Sequence, residues 1–130
     1  MTDAVSPLLI DTDVLIDYLR GQAAAVTYLE SLTGPLLISA ITVAELYAGV
    51  REGTERRALE SFVAVFQVVA ADETIAKRGG LYRRDYGKSH SVGLADALIA
   101  ATAEEQGATL VTLNQKHFPM LAEVTVPYSK

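Results

Sequence analysis

LLIDTDVLIDYLRG, residues 8–21, changes its periodicity in the middle, and that change decides the fold. The apolar run Leu8, Leu9, Ile10 reads as a short buried strand ending near Asp11. From Asp13 onward, Val14, Leu15, Tyr18 and Leu19 recur at helical spacing, and Gly21 is a plausible stop. A buried strand that passes straight into a helix is the opening of an α/β unit.

The rest of the chain repeats this alternation. A second helix is expected over residues 23–32, before Gly34-Pro35 breaks the chain. LLIS, residues 36–39, is a second strand, with Ser39 placed to cap a helix running to about Glu52. A helix over residues 54–64 leads to FQVVA, a third strand. Asp72 can cap the next helix, which Gly79-Gly80 is expected to weaken or bend. VGLADALIAATAEEQG is bounded by a glycine near each end and reads as a helix. TLVTLN is a strand, QKHFPML a turn or short helix, and EVTVPY a last short strand. Short apolar strands alternating with helices predict one α/β domain, residues 1–130, with a mostly parallel sheet. Functional groups in such sheets collect at the carboxyl ends of strands.

Composition narrows the chemistry. Half of the 130 residues are hydrophobic and 21% are charged, so a well-buried core is expected. There is no cysteine, which excludes disulfides, thiolate metal sites and cysteine nucleophiles. The first seven residues lack the pattern of a signal peptide, and no apolar run approaches the roughly 18 residues of a membrane span. A soluble, cytoplasmic protein is expected. The net charge of −5 argues against a generally basic nucleic-acid binder. Lys77, Arg78, Arg83, Arg84 and Lys88 nevertheless fall in one segment beside His90, either as a local basic surface or as an ordinary solvated helix face.

Three acids stand out. Asp11 lies at the end of the first strand, where Asp11, Thr12 or Asp13 can also serve simply as a helix cap. Glu45 has Ile41, Thr42, Ala48 and Gly49 as its helical neighbours and no local counter-charge. Asp96 shares its helix face with Val92, Gly93, Ile99 and Ala100. Burying an unpaired carboxylate is costly, and a hard divalent cation such as Mg²⁺ or Mn²⁺ relieves that cost. Phosphodiester hydrolysis follows as a reaction class. Asp13 is divided between cap and supporting role. Asp17, in line with Asp13 and Arg20, reads as part of a solvated strip.

Four stretches in order, LLIDTDVLIDYLRG, ISAITVAELYAG, GLADALIAATA and LVTLNQKHF, resemble the motifs of PIN-domain ribonucleases, most closely VapC-like toxins of toxin–antitoxin pairs. The resemblance spans nearly the whole chain. It implies a three-layer α/β/α sandwich and an acidic pocket holding Mg²⁺ or Mn²⁺ through Asp11, Glu45 and Asp96. Thr12 or Asp13 would support the first acid, and Thr112 and Asn114 match the polar pair after the late strand, with Asn114 counted among the catalytic residues. It also implies RNA as substrate, a VapB-like antitoxin as partner, and a homodimer. Many relatives carry a further acid after the late strand, where this chain has Asn114 and His117, which puts a second metal in doubt. Asn114 can still ligate through its carbonyl. His117 is expected either to contact phosphate or to be structural.

Other classes fit less well. A non-catalytic RNA-binding or interaction domain on the same fold is the main alternative. A phospho-accepting regulator would need an aspartate at the end of a central strand, whereas FQVVAADE offers Asp72 at a helix start. No glycine-rich G-x-G-x-x-G turn follows LLID, which disfavours dinucleotide enzymes.

Overall fold

The computed structural model describes residues 6–130. Its elements run β1 (Leu8–Ile10), α1 (Thr12–Leu19), α2 (Ala23–Ser31), β2 (Leu36–Ser39), α3 (Ala40–Ala48), α4 (Thr54–Val63), β3 (Gln67–Val69), α5 (Glu73–Tyr86), α6 (Leu94–Glu105), β4 (Thr109–Val111), a single 3₁₀ turn (Gln115–His117) and β5 (Val124–Thr125). The strands form one sheet in the order β3-β2-β1-β4-β5, and every pairing among the described strands is parallel.

Side-chain alternation along each strand builds the layers. Leu9, Leu37 and Leu110 face one side, where Ile75, Ile99, Ala100 and Phe118 cover them from α5, α6 and the 3₁₀ turn. Ile10, Ile38 and Val111 face the other side, against Val14, Leu15, Leu29, Leu46 and Leu59 of α1 to α4. The result is the three-layer sandwich expected from the resemblance. Because the strands are buried on both faces, they read as continuous apolar runs rather than alternating ones.

Local signals set the helix starts. Ser39 Oγ accepts from Ile41 N (2.9 Å) and Asp72 Oδ1 from Ile75 N (3.0 Å), both as predicted. Two expectations are corrected. The helix after β2 ends at Ala48, short of Glu52, with Gly49 at its carboxyl cap. Leu19, expected on the apolar face of α1, is 46% exposed. α5 is continuous through Gly79-Gly80, and α6 lies so close there that a Cβ on Gly79 would stand 2.6 Å from Leu98 Cδ2.

β1 lies centrally, with β2 on one side and β4 on the other. The chain leaves β1 towards β2 and later returns to its opposite edge through β4. The carboxyl end of β1 is therefore the point where strand order reverses, the usual place for a ligand crevice in a parallel sheet. Asp11 occupies it.

Candidate active site

Asp11 follows β1 directly and is the N-cap of α1, its Oδ1 accepting from Thr12 N at 2.8 Å. Asp11 thus caps the helix, one of the expected alternatives, but the cap uses only one oxygen. Oδ2 accepts from Thr112 Oγ1 at 2.7 Å, a bond reaching from the residue after β4. Thr112 is fully buried and also accepts from Asn114 N at 3.0 Å. Asp11 is 5% exposed. Burial first, then the charge of Asp13 and less so that of Asp96, push its carboxyl up to about 7, against the opposing hydrogen bonds from Thr112 and Thr12.

Asp13 belongs to this group rather than to a cap. Its Oδ2 accepts from Leu113 N at 3.0 Å, while its Oδ1 is buried without a hydrogen-bond partner. Burial raises its carboxyl as well, and so does nearby Asp17 to a lesser degree. A buried, unpartnered carboxylate oxygen is costly in a finished protein, and Asp13 shares the Thr112 hydroxyl region with Asp11.

Glu45 is placed differently from its sequence reading. Its neighbours Ala48 and Gly49 are exposed, and so is Glu45 itself. What holds it is Thr12, whose Oγ1 donates to Glu45 Oε1 at 2.7 Å. Thr12 Oγ1 also lies 3.0 Å from Thr42 Oγ1. With Thr12's single proton committed to the carboxylate, the fully buried Thr42 is the donor in that pair. Sequence reasoning passed over Thr42, whose only signal was a hydroxyl one turn before Glu45.

Asp96 stands in the first turn of α6, with its side chain 29% exposed. Burial raises its carboxyl, and His117 opposes that shift. His117 Nδ1 lies 3.1 Å from Asp96 Oδ2. Asn114 is exposed, and its backbone N–H donates to Thr112 Oγ1.

Asp17 corrects the solvated-strip reading. It is 5% exposed, with Oδ2 accepting from Tyr128 Oη at 3.0 Å and paired with Lys130 Nζ at 3.1 Å. Much of the basic segment is internally compensated. Lys77 pairs with Glu73 (2.8 Å), Arg84 with Asp85 (2.8 Å) and Arg78 with Glu105 (3.4 Å). A groove of about 530 Å³ opens beside Glu45 between α1, α3 and α4, lined in part by Ile16, Leu19, Arg20, Leu46 and Leu59.

The family model for the PIN domain matches residues 8–124. This chain is a PIN domain. "Ribonuclease VapC10" of Mycobacterium tuberculosis is 46% identical over 125 residues, covering 94% of this chain and 93% of that protein. A toxin–antitoxin complex from Klebsiella pneumoniae superimposes with a TM-score of 0.82 at 29% identity, over 95% of this chain and 99% of the other. FitAcB from Neisseria gonorrhoeae gives a TM-score of 0.74 at 32% identity, over 92% and 97%.

Within this PIN domain the donor set suits a hard cation. Asp11, Asp13 and Asp96 concentrate negative charge at one strand end, with one carboxylate oxygen left unpartnered. Among the described residues, however, no three acids or histidines are already gathered around a common point. No described helix is long and apolar enough to cross a membrane.

Proposed function

We propose that this PIN domain is a metal-dependent endoribonuclease, the toxin of a toxin–antitoxin pair. The observation that carries the reading is Asp11. It is a buried carboxylate at the sheet's switch point, raised to about 7 by burial and neighbouring acids. The ribonuclease named among its relatives gives that charge a use.

Asp11, Glu45 and Asp96 would hold Mg²⁺ or Mn²⁺, directly or through water, with Asp13 adding a buried, unpartnered oxygen. When bound, such an ion neutralises the acids, polarises a phosphate and lowers the pKa of an attacking water. The chain's own residues do the positioning. Thr112, just after β4, fixes Asp11, and Thr12 of α1 fixes Glu45, so these two carboxylates keep their orientation. Asn114 acts through its backbone, holding the Thr112 hydroxyl. Arg83 and Lys88, exposed near the end of α5, are the candidates for RNA-backbone contact.

A VapB-like antitoxin fits the groove beside Glu45. Its apolar wall of Ile16, Leu19, Leu46 and Leu59 suits a helix or extended segment, and Glu45 at its edge suits a basic antitoxin side chain. A homodimer belongs to the same reading, for which Leu81 and Leu94 are exposed apolar side chains. A cytoplasmic site of action belongs to the same reading.

The test compares the purified chain with an Asp11→Ala, Asp96→Ala double variant on RNA in Mg²⁺ or Mn²⁺. Cleavage by the first and not the second is expected. Equal rates overturn the enzyme reading, and RNA binding without cleavage favours the non-catalytic alternative.

A further inference from the structure

Two helical threonines in this fold share the same burial and use their hydroxyls in opposite ways. Thr102, on α6, is fully buried and donates to the Leu98 carbonyl one turn back at 2.8 Å. That is a common resting place for a hydroxyl inside a helix. Thr42, in the first turn of α3, is equally buried, but its Oγ1 meets Thr12 Oγ1 of α1 at 3.0 Å. Thr12 reaches back in turn to α3, where its Oγ1 lies 2.7 Å from Glu45 Oε1.

Each hydroxyl carries one proton, and that fixes the order of donation. If Thr12 pointed its proton at Thr42, its oxygen would face the Glu45 carboxylate at 2.7 Å with no hydrogen between them. Donation therefore runs one way, from Thr42 to Thr12 to Glu45. Thr42 has no access to water that could compete for its proton. Its donation polarises the Thr12 hydroxyl and strengthens the next bond, the one to the carboxylate. That bond holds Oε1 of an otherwise exposed side chain and does not engage Oε2.

We infer that Thr42 is a positioning residue for RNA cleavage, acting through Thr12 to hold Glu45 in one rotamer with Oε2 left free for the reaction. The inference rests on the ribonuclease reading above and adds a buried residue to it. The competing role is simple core filling, in which losing the Thr42 hydroxyl acts through stability alone, as it would at Thr102.

The experiment uses the whole chain, with Thr42→Val, Thr42→Ser, and Thr102→Val as the control for losing a buried helical hydroxyl. Scalar couplings along the Glu45 side chain, measured by nuclear magnetic resonance, read its rotamer without RNA or metal. One dominant rotamer is expected in the parent, Thr42→Ser and Thr102→Val, and averaging among rotamers in Thr42→Val. On RNA, Thr42→Val is expected to lower kcat about tenfold with little change in KM. Thr42→Ser is expected to restore most of that loss, and Thr102→Val to match the parent. Circular dichroism checks folding, and Thr42→Ala removes the same hydroxyl should Thr42→Val not fold. A Glu45 side chain already averaged in the parent, or a single rotamer kept without the Thr42 hydroxyl, overturns the inference and leaves the ribonuclease reading standing. A fall in kcat no larger than that of Thr102→Val does the same. No cleavage by the parent overturns the ribonuclease reading, while the couplings still decide whether Thr42 holds Glu45.

Discussion

Thr112 Oγ1 donates to Asp11 Oδ2 at 2.7 Å, joining residues 101 positions apart and tying the carboxyl ends of β1 and β4 together. It is one of two hydrogen bonds that favour the charged form of a carboxyl otherwise raised by burial. Replacing it with valine keeps the shape and removes the donor. Thr112→Val is expected to cost about 1–3 kcal/mol, more at pH 8 than at pH 5, because the hydroxyl matters most when Asp11 is ionised. Urea unfolding at both pH values checks this, and an equal loss at each would refute the electrostatic role.

Asp11 also predicts a pH dependence. Its carboxyl moves from an ordinary value of 3.8 up to about 7 on folding. Between those values the folded chain holds a proton that the unfolded chain has released. The stability linked to Asp11 is therefore full below pH 3.8 and lost as pH rises through 7. In chelator, Asp11→Asn is expected to be more stable than the parent at pH 8, by at most roughly 4 kcal/mol, and to lose that advantage at pH 4. Thermal melts across this range measure it; a parallel pH profile in the two proteins would contradict it.

Glu45 separates stability from activity. It is exposed, and its single anchor is the Thr12 hydroxyl. Glu45→Gln keeps an acceptor for that hydroxyl, so stability is expected to change by less than about 1 kcal/mol. RNA cleavage is expected to fall by about 100-fold or more. A variant that retains full cleavage would remove Glu45 from the site.

Tyr128 tests the burial of Asp17. Its hydroxyl and Lys130 Nζ both meet Asp17 Oδ2. Tyr128→Phe leaves a buried carboxylate with one fewer donor and is expected to cost about 1–3 kcal/mol. In an Asp17→Asn background the same change should cost less. A double-mutant cycle measured by urea unfolding reads the coupling, and a coupling of zero would mean that the tail contact contributes nothing.

Neighbouring glycines in α5 predict opposite signs. Around Gly80 a new Cβ meets nothing within 4 Å, so Gly80→Ala is expected to stabilise by about 0.5–1 kcal/mol through helix propensity alone. At Gly79 the Cβ would lie 3.1 Å from the Leu98 backbone as well as against its side chain. Gly79→Ala is expected to destabilise by about 1–3 kcal/mol as α5 and α6 are forced apart. Melting temperatures of the two variants, compared side by side, decide it.

The residues alone determined the alternation of strands and helices, the parallel α/β class, the caps at Ser39 and Asp72, and the place of Asp11 at a strand end. These features act within one element or its first turn, where periodicity and a single side-chain hydrogen bond suffice. Tertiary structure decided which groups meet and which are buried. Asp17 looked solvated because its own helix shows a polar strip, yet Tyr128 and Lys130 arrive from the far end of the chain to cover it. Glu45 looked enclosed because its helix neighbours are small and apolar, yet Ala48, Gly49 and Glu45 itself are exposed and Thr12 holds it from another element. The contact between His117 and Asp96 depends on Phe118 seating a turn in the core. Burial, and the carboxyl shifts that follow from it, belong to surfaces contributed by several distant segments, and helical or strand spacing carries no record of those surfaces.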